Sequence, residues 1–454
     1  MAHATFISVD EARTRILAQI RPLPATVVGL AEALGMVAAE DVCAPVNVPA
    51  FDNSAYDGYA VRSADLAGAG PRTPRRLPVA DTIPAGAVSV PALAAGMAAR
   101  IMTGAPLPAG ADAVVPFEET DRTDWGGWGD ARVPPAGDPP ATARHGPLDI
   151  AKPMVRPARD ADSQGDRLMV GIKTAPVPGA NVRRAGADVR AGAVVLRAGQ
   201  VVRPVDIGLL ASAGIAQVAV VRRAVVAILP TGDELVEIDH PIRPGQVRNS
   251  NAWMLEAAAR QYGAIPRRLA ASGDTADELR AAVIQAGTAD LIVTIGGVSV
   301  GDYDVVKQVL GDDGELDFWQ INMKPGKPLA FGKLAGAPCI GLPGNPVSSL
   351  VGFELFVRPA LLQMMGHTNL AKAAVQATSA ERLASSEGKR TFVRVRLQRR
   401  DGRLVCAPTG DQGSFRLSSV TEAHGLAEVR EGATIEPGHP VTVLVLDERA
   451  ALVL

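Results

Sequence analysis

The densest gathering of polar and aromatic side chains is Phe51–Ala60, FDNSAYDGYA. It holds two of the chain's four tyrosines and two carboxylates, Asp52 and Asp57, in a stretch bordered by Ala, Val and Pro. Composition alone does not explain such a knot in an aromatic-poor chain. Asp52, Asn53 and Ser54 are suited to a turn closed by side-chain to backbone hydrogen bonds. Tyr56 and Tyr59 read as packing anchors. A second constellation is TIGGVSVGDYD, residues 294–304. Gly296, Gly297 and Gly301 allow a tight turn whose free N–H groups can cradle an oxyanion. A Walker A loop, GxxxxGK[ST], is absent from the chain. The same residues contain G-x-S-x-G, which leaves open a serine hydrolase with Ser299 as nucleophile. A nucleophile elbow starts its helix directly after the serine, however, and here Gly301, Asp302, Tyr303 and Asp304 intervene.

KPGKP sets Lys324 and Lys327 three apart between two prolines. The pair suits a polyanion or forms a solvated loop. GLPGNPVSSL follows an expected strand and opens a helix, so its N–H groups and Ser348 would face a strand-end cleft. A plain Gly-Pro turn capped by Asn345 is the alternative. Asp233, Glu234, Asp274 and Asp304 all follow expected strands, although Asp274 could simply cap its helix. Like charges ~4 Å apart at an effective dielectric of about 20 repel by roughly 4 kcal/mol. An acid-rich site that binds phosphate therefore implies a bridging cation, and Mg²⁺ fits oxygen ligands best.

The elements that must position these groups are legible from pattern. At 454 residues, a prior of roughly 150 per domain suggests about three domains. The first segment, ISVDEARTRILAQI, reads as a helix with Ser8 and Glu11 as capping box and Ile16, Leu17 and Ile20 on one face. GLAEALGMVAAEDV, residues 29–42, is a second helix candidate, weakened by Gly35. Residues 61–120 read as mainly β. Residues 121–174 are rich in Pro, Gly, Asp and Arg and read as a partly disordered insertion in which Trp125 and Trp128 are packing candidates. From Ala224 onward, strands and helices alternate for ~140 residues, arguing for a doubly wound, mostly parallel sheet with ligands at the strand ends. FVRVRLQRRDGRLVCA reads as a hairpin about Asp401–Gly402, inside a small all-β domain.

Net charge −2 gives no bulk basic footprint for nucleic acid. Three scattered cysteines, Cys43, Cys339 and Cys406, imply no disulfide framework and fit a reducing compartment. The six histidines stand singly, as in His240, His367 and His439, and read as loop residues. No apolar run reaches the ~18 residues of a membrane span, and no signal peptide is recognised. A cytoplasmic protein without membrane association is the expectation.

In sequence order, PAFDNSAYDGYAVR, RIMTGAPLPAGADAVV, NVRRAGADVRAG, TGDEL, TIGGVSVGDYD, KPGKPLAFGKL and GLPGNPVSSL together resemble the molybdopterin molybdenumtransferase (MoeA) family. Its eukaryotic members include the C-terminal domain of gephyrin. The resemblance covers nearly the whole chain. It implies molybdenum insertion from molybdate into adenylated molybdopterin, with Mg²⁺-dependent release of AMP, the last step of molybdenum cofactor biosynthesis. It implies an elongated homodimer whose cleft combines the glycine-loop domain of one chain with lid-side motifs of the other. It also implies molybdopterin adenylyltransferase as a partner.

The resemblance implies four parts. Residues 1–49 with 189–222 form a small helical and mixed linking domain. Residues 50–188 form a β-rich lid containing the insertion, 223–370 the α/β molybdopterin-binding domain, and 371–454 the C-terminal all-β domain. Family roles fall on Asp57, Thr103 and Asp188 outside the sheet domain. Glu234, Asp274 and Asp304 match acids around nucleotide and metal, with Asp57, Glu234 and Asp304 as metal ligands. Gly296, Gly297 and Ser299 match substrate-binding positions of the glycine loop. Lys324, Lys327 and Ser348 match the molybdate side, with Pro343 and Pro346 shaping that loop and Ser414 as a contacting serine. Ala187 stands where the family has an acid, Gln320 where it can have a lysine, and Lys389 where it often has an arginine. Lysine can neutralise an oxyanion but cannot clamp it bidentately. Two readings stay open beside this one: a scaffold homologue with reduced turnover, and the Ser299 hydrolase.

Overall fold

The computed structural model describes residues 5–122, 168–272, 276–296 and 316–446. Trp125, Trp128, Asp274, Gly297, Ser299 and Asp304 lie outside the described residues. The chain divides into two compact units. One comprises Met1–Asp41, Leu196–Ile207 and Gln217–Leu454; the other comprises Val42–Val195 and Gly208–Ala216.

The first unit is built on a seven-stranded sheet. Its spatial order is Thr5–Ile7, Leu316–Ile321, Pro328–Leu334, Ala337–Leu342, Leu291–Ile295, Val225–Pro230, Ile265–Arg268. Pro328–Leu334 alone runs against the others, so the sheet is mostly parallel. The central strands are near-continuous apolar runs, as a sheet covered on both faces demands; Val226 to Pro230 are all buried. Helix Ser250–Gln261 bridges the parallel strands Val225–Pro230 and Ile265–Arg268 and buries Ala252, Leu255 and Ala259. Asn249 caps it, accepting from Ala252 N at 3.3 Å.

The amino-terminal helix is Val9–Gln19, and Ser8 Oγ accepts from Glu11 N at 3.1 Å. Ile16 and Ile20 are fully buried. Just ahead of it, Thr5–Ile7 adds a parallel edge strand beside Leu316–Ile321, which pattern reading did not anticipate. The second helix candidate shrinks to one turn, Leu30–Ala33. Gly35, at φ 76°, turns the chain away, and Val37 and Ala38 bridge to Val201 and Val220 instead.

The helical run Pro346–Met364 changes register at a π turn, Phe353–Val357, before resuming as Arg358–Met364. Pro359 explains this. It lacks an N–H and its ring crowds the carbonyl four residues back, Leu355, inside the widened turn. The 19-residue run is long and apolar enough to cross a bilayer, contrary to the sequence expectation, yet 89% of its apolar 18-residue window is buried inside the protein. The π turn carries Glu354, buried at 6% exposure. Lys372 Nζ reaches Glu354 Oε2 at 2.8 Å, and the Tyr262 hydroxyl donates to the same carboxylate at 3.1 Å. Arg358 lies 5.0 Å from the Tyr262 ring and donates to Leu370 O and Ala371 O.

At the carboxyl side of this unit, Arg390–Arg400, Arg403–Pro408, Ala374–Ser379, Pro440–Val445 and Gly425–Val429 close a five-stranded barrel, because the first and last also pair. Val393, Val395, Leu397, Cys406 and Val443 fill it. The hairpin turns at Asp401–Gly402, both at positive φ as a type I′ turn requires.

The second unit holds a five-stranded sheet ordered Ala113–Pro116, Gly58–Val61, Ala98–Ile101, Arg75–Ile83, Met169–Ile172. Its core includes Tyr59 and Phe117, edge to face at 5.4 Å. The last strand corrects the expected insertion. Met169–Ile172 is an edge strand with Val170 and Ile172 buried, and Gly171 N donates to Asp121 Oδ1 at 2.7 Å. The signal was the apolar run Leu168–Ile172, hidden within a Pro- and Gly-rich composition window.

Candidate functional site

In the second unit, the loop that raised the first question is held as its residue types suggest. Ser54 Oγ accepts from Tyr56 N at 3.3 Å, and Asn53 Nδ2 donates to Phe51 O at 3.2 Å. Asp52 reaches further than a local turn. It accepts from Ala185 N at 2.8 Å and from Arg184 Nη1 at 2.6 Å, tying FDNSAYDGYA to NVRRAGADVRAG. The Ala185 amide, then the Arg184 guanidinium, hold its carboxyl below the usual range.

Asp57 Oδ1 accepts both from Thr103 N at 2.7 Å and from Thr103 Oγ1 at 2.9 Å. Two motifs 46 positions apart thus converge, and the second carboxylate oxygen has no hydrogen-bond partner among the described residues. Next to Asp57, Gly58 lets the strand Gly58–Val61 lie close to Ala113–Pro116, since a Cβ there would collide with the Val115 carbonyl. Asp188 N donates to Val48 O at 3.0 Å, while its exposed side chain makes no bond to the Asp57–Thr103 pair. Tyr59 is the buried anchor expected, but Tyr56 is 54% exposed and anchors nothing by burial.

In the first unit, a pocket of about 570 Å³ opens at the sheet's strand ends. Gly296, Lys324, Pro343, Ser348 and Ser414 line it, together with Asn345, Asp411, Gln412 and Gly413. Four separated motifs therefore meet in one cavity. Gly296 ends strand Leu291–Ile295 at φ 90°, with its N–H donated to Leu342 O at 2.9 Å. A Cβ there would sit 2.8 Å from Thr231 O and 2.9 Å from Thr231 Oγ1, so glycine is required.

Pro343 and Pro346 flank the turn that feeds the last helix. Ser349 Oγ donates to Pro343 O, and Ser349 N to Asn345 O at 2.9 Å. Asn345 occupies the N-cap position without a side-chain cap bond, so the turn is not a plain Asn-capped one. Val347 N donates to Ser414 O at 3.0 Å, which draws the DQGS loop over the helix start. Ser348 is buried at 4% exposure.

The lysines separate. Lys324 lines the pocket and donates from Nζ to Ser386 Oγ at 2.9 Å. Lys327 does not line it; its Nζ sits 5.2 Å from the Phe6 ring. Lys389 pairs with Glu387. The Lys389 hydrogen bond and charge, then the charges of Lys324 and Lys327, hold the Glu387 carboxyl below its usual range. The neighbouring Arg390 is committed elsewhere, to Asp10 at 2.9 Å, Glu431 at 3.2 Å and Glu428 at 3.4 Å.

Glu234 is exposed beyond strand Val225–Pro230, and its carboxylate lies against Gly232, where a Cβ would collide with it. It offers hard oxygen donors of the kind Mg²⁺ takes. Among the described residues no three acids or histidines converge as a metal site. Pattern reading missed Asp411, Gln412 and Gly413 as pocket residues, and it missed Arg394 behind them. A loop brought in from the barrel has no periodic signal pointing at a distant sheet edge.

Three family models match in sequence order: the MoeA N-terminal region (domains I and II) over residues 7–214, a probable molybdopterin-binding domain over 227–363, and the MoeA C-terminal region (domain IV) over 376–446. The chain belongs to the molybdopterin molybdenumtransferase family. A relative of that description, molybdopterin molybdenumtransferase 2 of Mycobacterium tuberculosis, is 38% identical over 431 residues, 93% of this chain and 95% of its own. The molybdopterin molybdenumtransferase of Haemophilus influenzae is 34% identical over 96% of this chain and 98% of its own. Two crystal structures of a molybdopterin biosynthesis MoeA protein from Pyrococcus horikoshii match with TM-scores of 0.75 and 0.73, at 27% and 26% identity. They cover 98% and 97% of this chain and 100% of their own. The family's members are transferases of molybdenum cofactor biosynthesis, and the fold expected for them is the one observed.

Proposed function

We propose that this family member transfers molybdenum from molybdate to adenylated molybdopterin, with release of AMP. The observation that carries the proposal is the strand-end pocket, where Lys324, Ser348, Ser414 and the Gly296 turn meet around a volume suited to an oxyanion. Lys324 supplies positive charge, and Ser348 and Ser414 supply hydroxyl donors, to a tetrahedral dianion. Lys327 and Lys389 add charge nearby. Asn345 and Pro343 shape the wall, and Gly296, with Gly297 and Ser299 beyond it in sequence, would contact the pterin phosphate.

Glu234, with Asp304 and Asp57, would hold Mg²⁺, and Asp274 would meet the nucleotide. Bound Mg²⁺ would supply positive charge at the phosphoanhydride. Thr103 orients the Asp57 carboxylate through two hydrogen bonds to one oxygen. In a homodimer, Asp57, Thr103 and Asp188 would act on the cleft of a second copy. A molybdopterin adenylyltransferase would supply the substrate. Free Cys43, Cys339 and Cys406 suit the reducing cytoplasm where this chemistry belongs.

The deciding experiment incubates the protein with adenylated molybdopterin, molybdate and Mg²⁺. AMP release and reconstitution of an apo-molybdoenzyme are the expected result. Binding of all three without AMP release would leave a scaffold instead. Labelling of Ser299 by a fluorophosphonate would point to the hydrolase.

A further inference from the structure

Arg394 stands in the barrel strand Arg390–Arg400 with no exposed surface. Its Nη2 donates to Asp411 O at 3.1 Å and to Gly413 O at 3.2 Å. Its main chain is held by the same loop. Arg394 N donates to Gln412 Oε1 at 2.8 Å, and Arg394 O accepts from Gln412 Nε2 at 3.3 Å. Nε and Nη1 are buried with no partner among the described residues. Burial pushes this guanidinium below the ordinary arginine value. A buried cation with orphaned donors is a poor stabilising device, which directs attention to the loop it grips.

Peptide geometry says what the grip does. In a planar trans peptide, the carbonyl and the following N–H point in opposite directions. The links Asp411–Gln412 and Gly413–Ser414 are both trans. Their carbonyls turn inward to Arg394, so the N–H groups of Gln412 and Ser414 turn outward. Both residues line the pocket. Neither N–H has an acceptor among the described residues, whereas the intervening Gly413 N–H is taken by Asp411 Oδ1 at 2.9 Å.

The geometry points to Arg394 as a positioning residue that presents the Gln412 and Ser414 amides to a tetrahedral oxyanion in the pocket. The identity of that oxyanion as molybdate rests on the proposed function; the amide cradle does not. The buried guanidinium also places positive charge behind the loop, on the side that attracts an anion.

Calorimetric titration of the full chain with molybdate, sulfate and phosphate tests this, using Arg394→Lys, Arg394→Gln, Ser414→Ala and Ser414→Pro. Loss of one charge-assisted hydrogen bond corresponds to about tenfold in affinity. Ser414→Pro, which deletes the amide and the hydroxyl, should weaken oxyanion binding about tenfold beyond Ser414→Ala, which deletes the hydroxyl alone. Arg394→Gln should weaken it more, and Arg394→Lys should restore part of the loss. In turnover, KM for molybdate should rise by the same factors, with kcat within about twofold. Folded Arg394→Gln that binds within twofold of the unaltered protein overturns the inference. Should Arg394→Gln fail to fold, binding by Ser414→Pro equal to that by Ser414→Ala overturns it alone. Unaltered protein that binds sulfate or phosphate but not molybdate, with the variants still impaired, keeps the amide cradle and overturns the molybdate reading. Protein that binds none of the three overturns both.

Discussion

Replacing Gly296 by alanine isolates how tightly the strand-end turn is built. Its φ of 90° lies in the left-handed half of the map, where a Cβ costs about 1–2 kcal/mol. The added carbon would also sit 2.8 Å from Thr231 O. That carbonyl has little room to retreat, because Thr231 N is bonded to Ile295 O at 2.9 Å and Gly296 N to Leu342 O at 2.9 Å. Overpacking of this kind adds roughly 1–3 kcal/mol, for a total on the order of 2–5 kcal/mol. For a unit of this size, that is a drop in melting temperature of about 3–8 °C. Gly344 provides the control. It lines the same pocket, has no positive φ, and its added Cβ would meet only Gly296 Cα at 4.0 Å. Calorimetric melting of Gly296→Ala and Gly344→Ala should therefore separate widely. Equal melting temperatures would refute the claim that close approach to Thr231 fixes this turn.

Asp57→Asn keeps an acceptor for Thr103 but removes the charge, so stability should fall by only about 1–2 kcal/mol while AMP release drops about 100-fold or more; full activity would remove Asp57 from the reacting site. Asp290 is partly desolvated, which opposes ionisation, yet two bonds from Arg222 at 2.6 and 2.7 Å and one from Val225 N at 2.8 Å hold its carboxyl below the usual range. Its contribution is therefore complete above the unfolded value of about 3.9 and is lost as pH falls through the lower folded value, so Asp290→Asn should flatten the acid limb of a urea-midpoint profile below about pH 4. Glu387→Gln removes the carboxylate that shares the field of Lys324, Lys327 and Lys389. Molybdate KM should fall about twofold to fivefold at low salt, and the difference should vanish near 1 M salt, where screening acts within ~3 Å.

The sheet was readable in the sequence because its central strands are apolar on both faces and its turns are marked by Gly and Pro. The hairpin at Asp401–Gly402 was readable for the same local reason. The edge strand Thr5–Ile7 was not, since three residues carry no period and its partner lies more than 300 positions away. The one-turn helix Leu30–Ala33 was overcalled because Ala and Glu favour helix, and Gly35 overrode them. Within the site, glycines, prolines and lysines announced the pocket through backbone demands written into short motifs. Arg394 did not, because in FVRVRL it alternates with apolar residues just as an outward-facing arginine would. Its burial follows from a loop that folds over that face of the strand.

The buried trio of Glu354, Lys372 and Tyr262 bears on how this polypeptide can be cut. A fragment closed at residue 370 would end two positions short of Lys372 and leave Glu354 with its charge enclosed and unneutralised. A fragment begun at residue 223 would likewise forfeit the strand Thr5–Ile7 and the side chains of Ile16 and Ile20, which share the same core. The α/β part is therefore not a transplantable cassette. Recombination that moves it intact has to carry both flanks along, which ties the inheritance of the α/β sheet to the segments on either side of it.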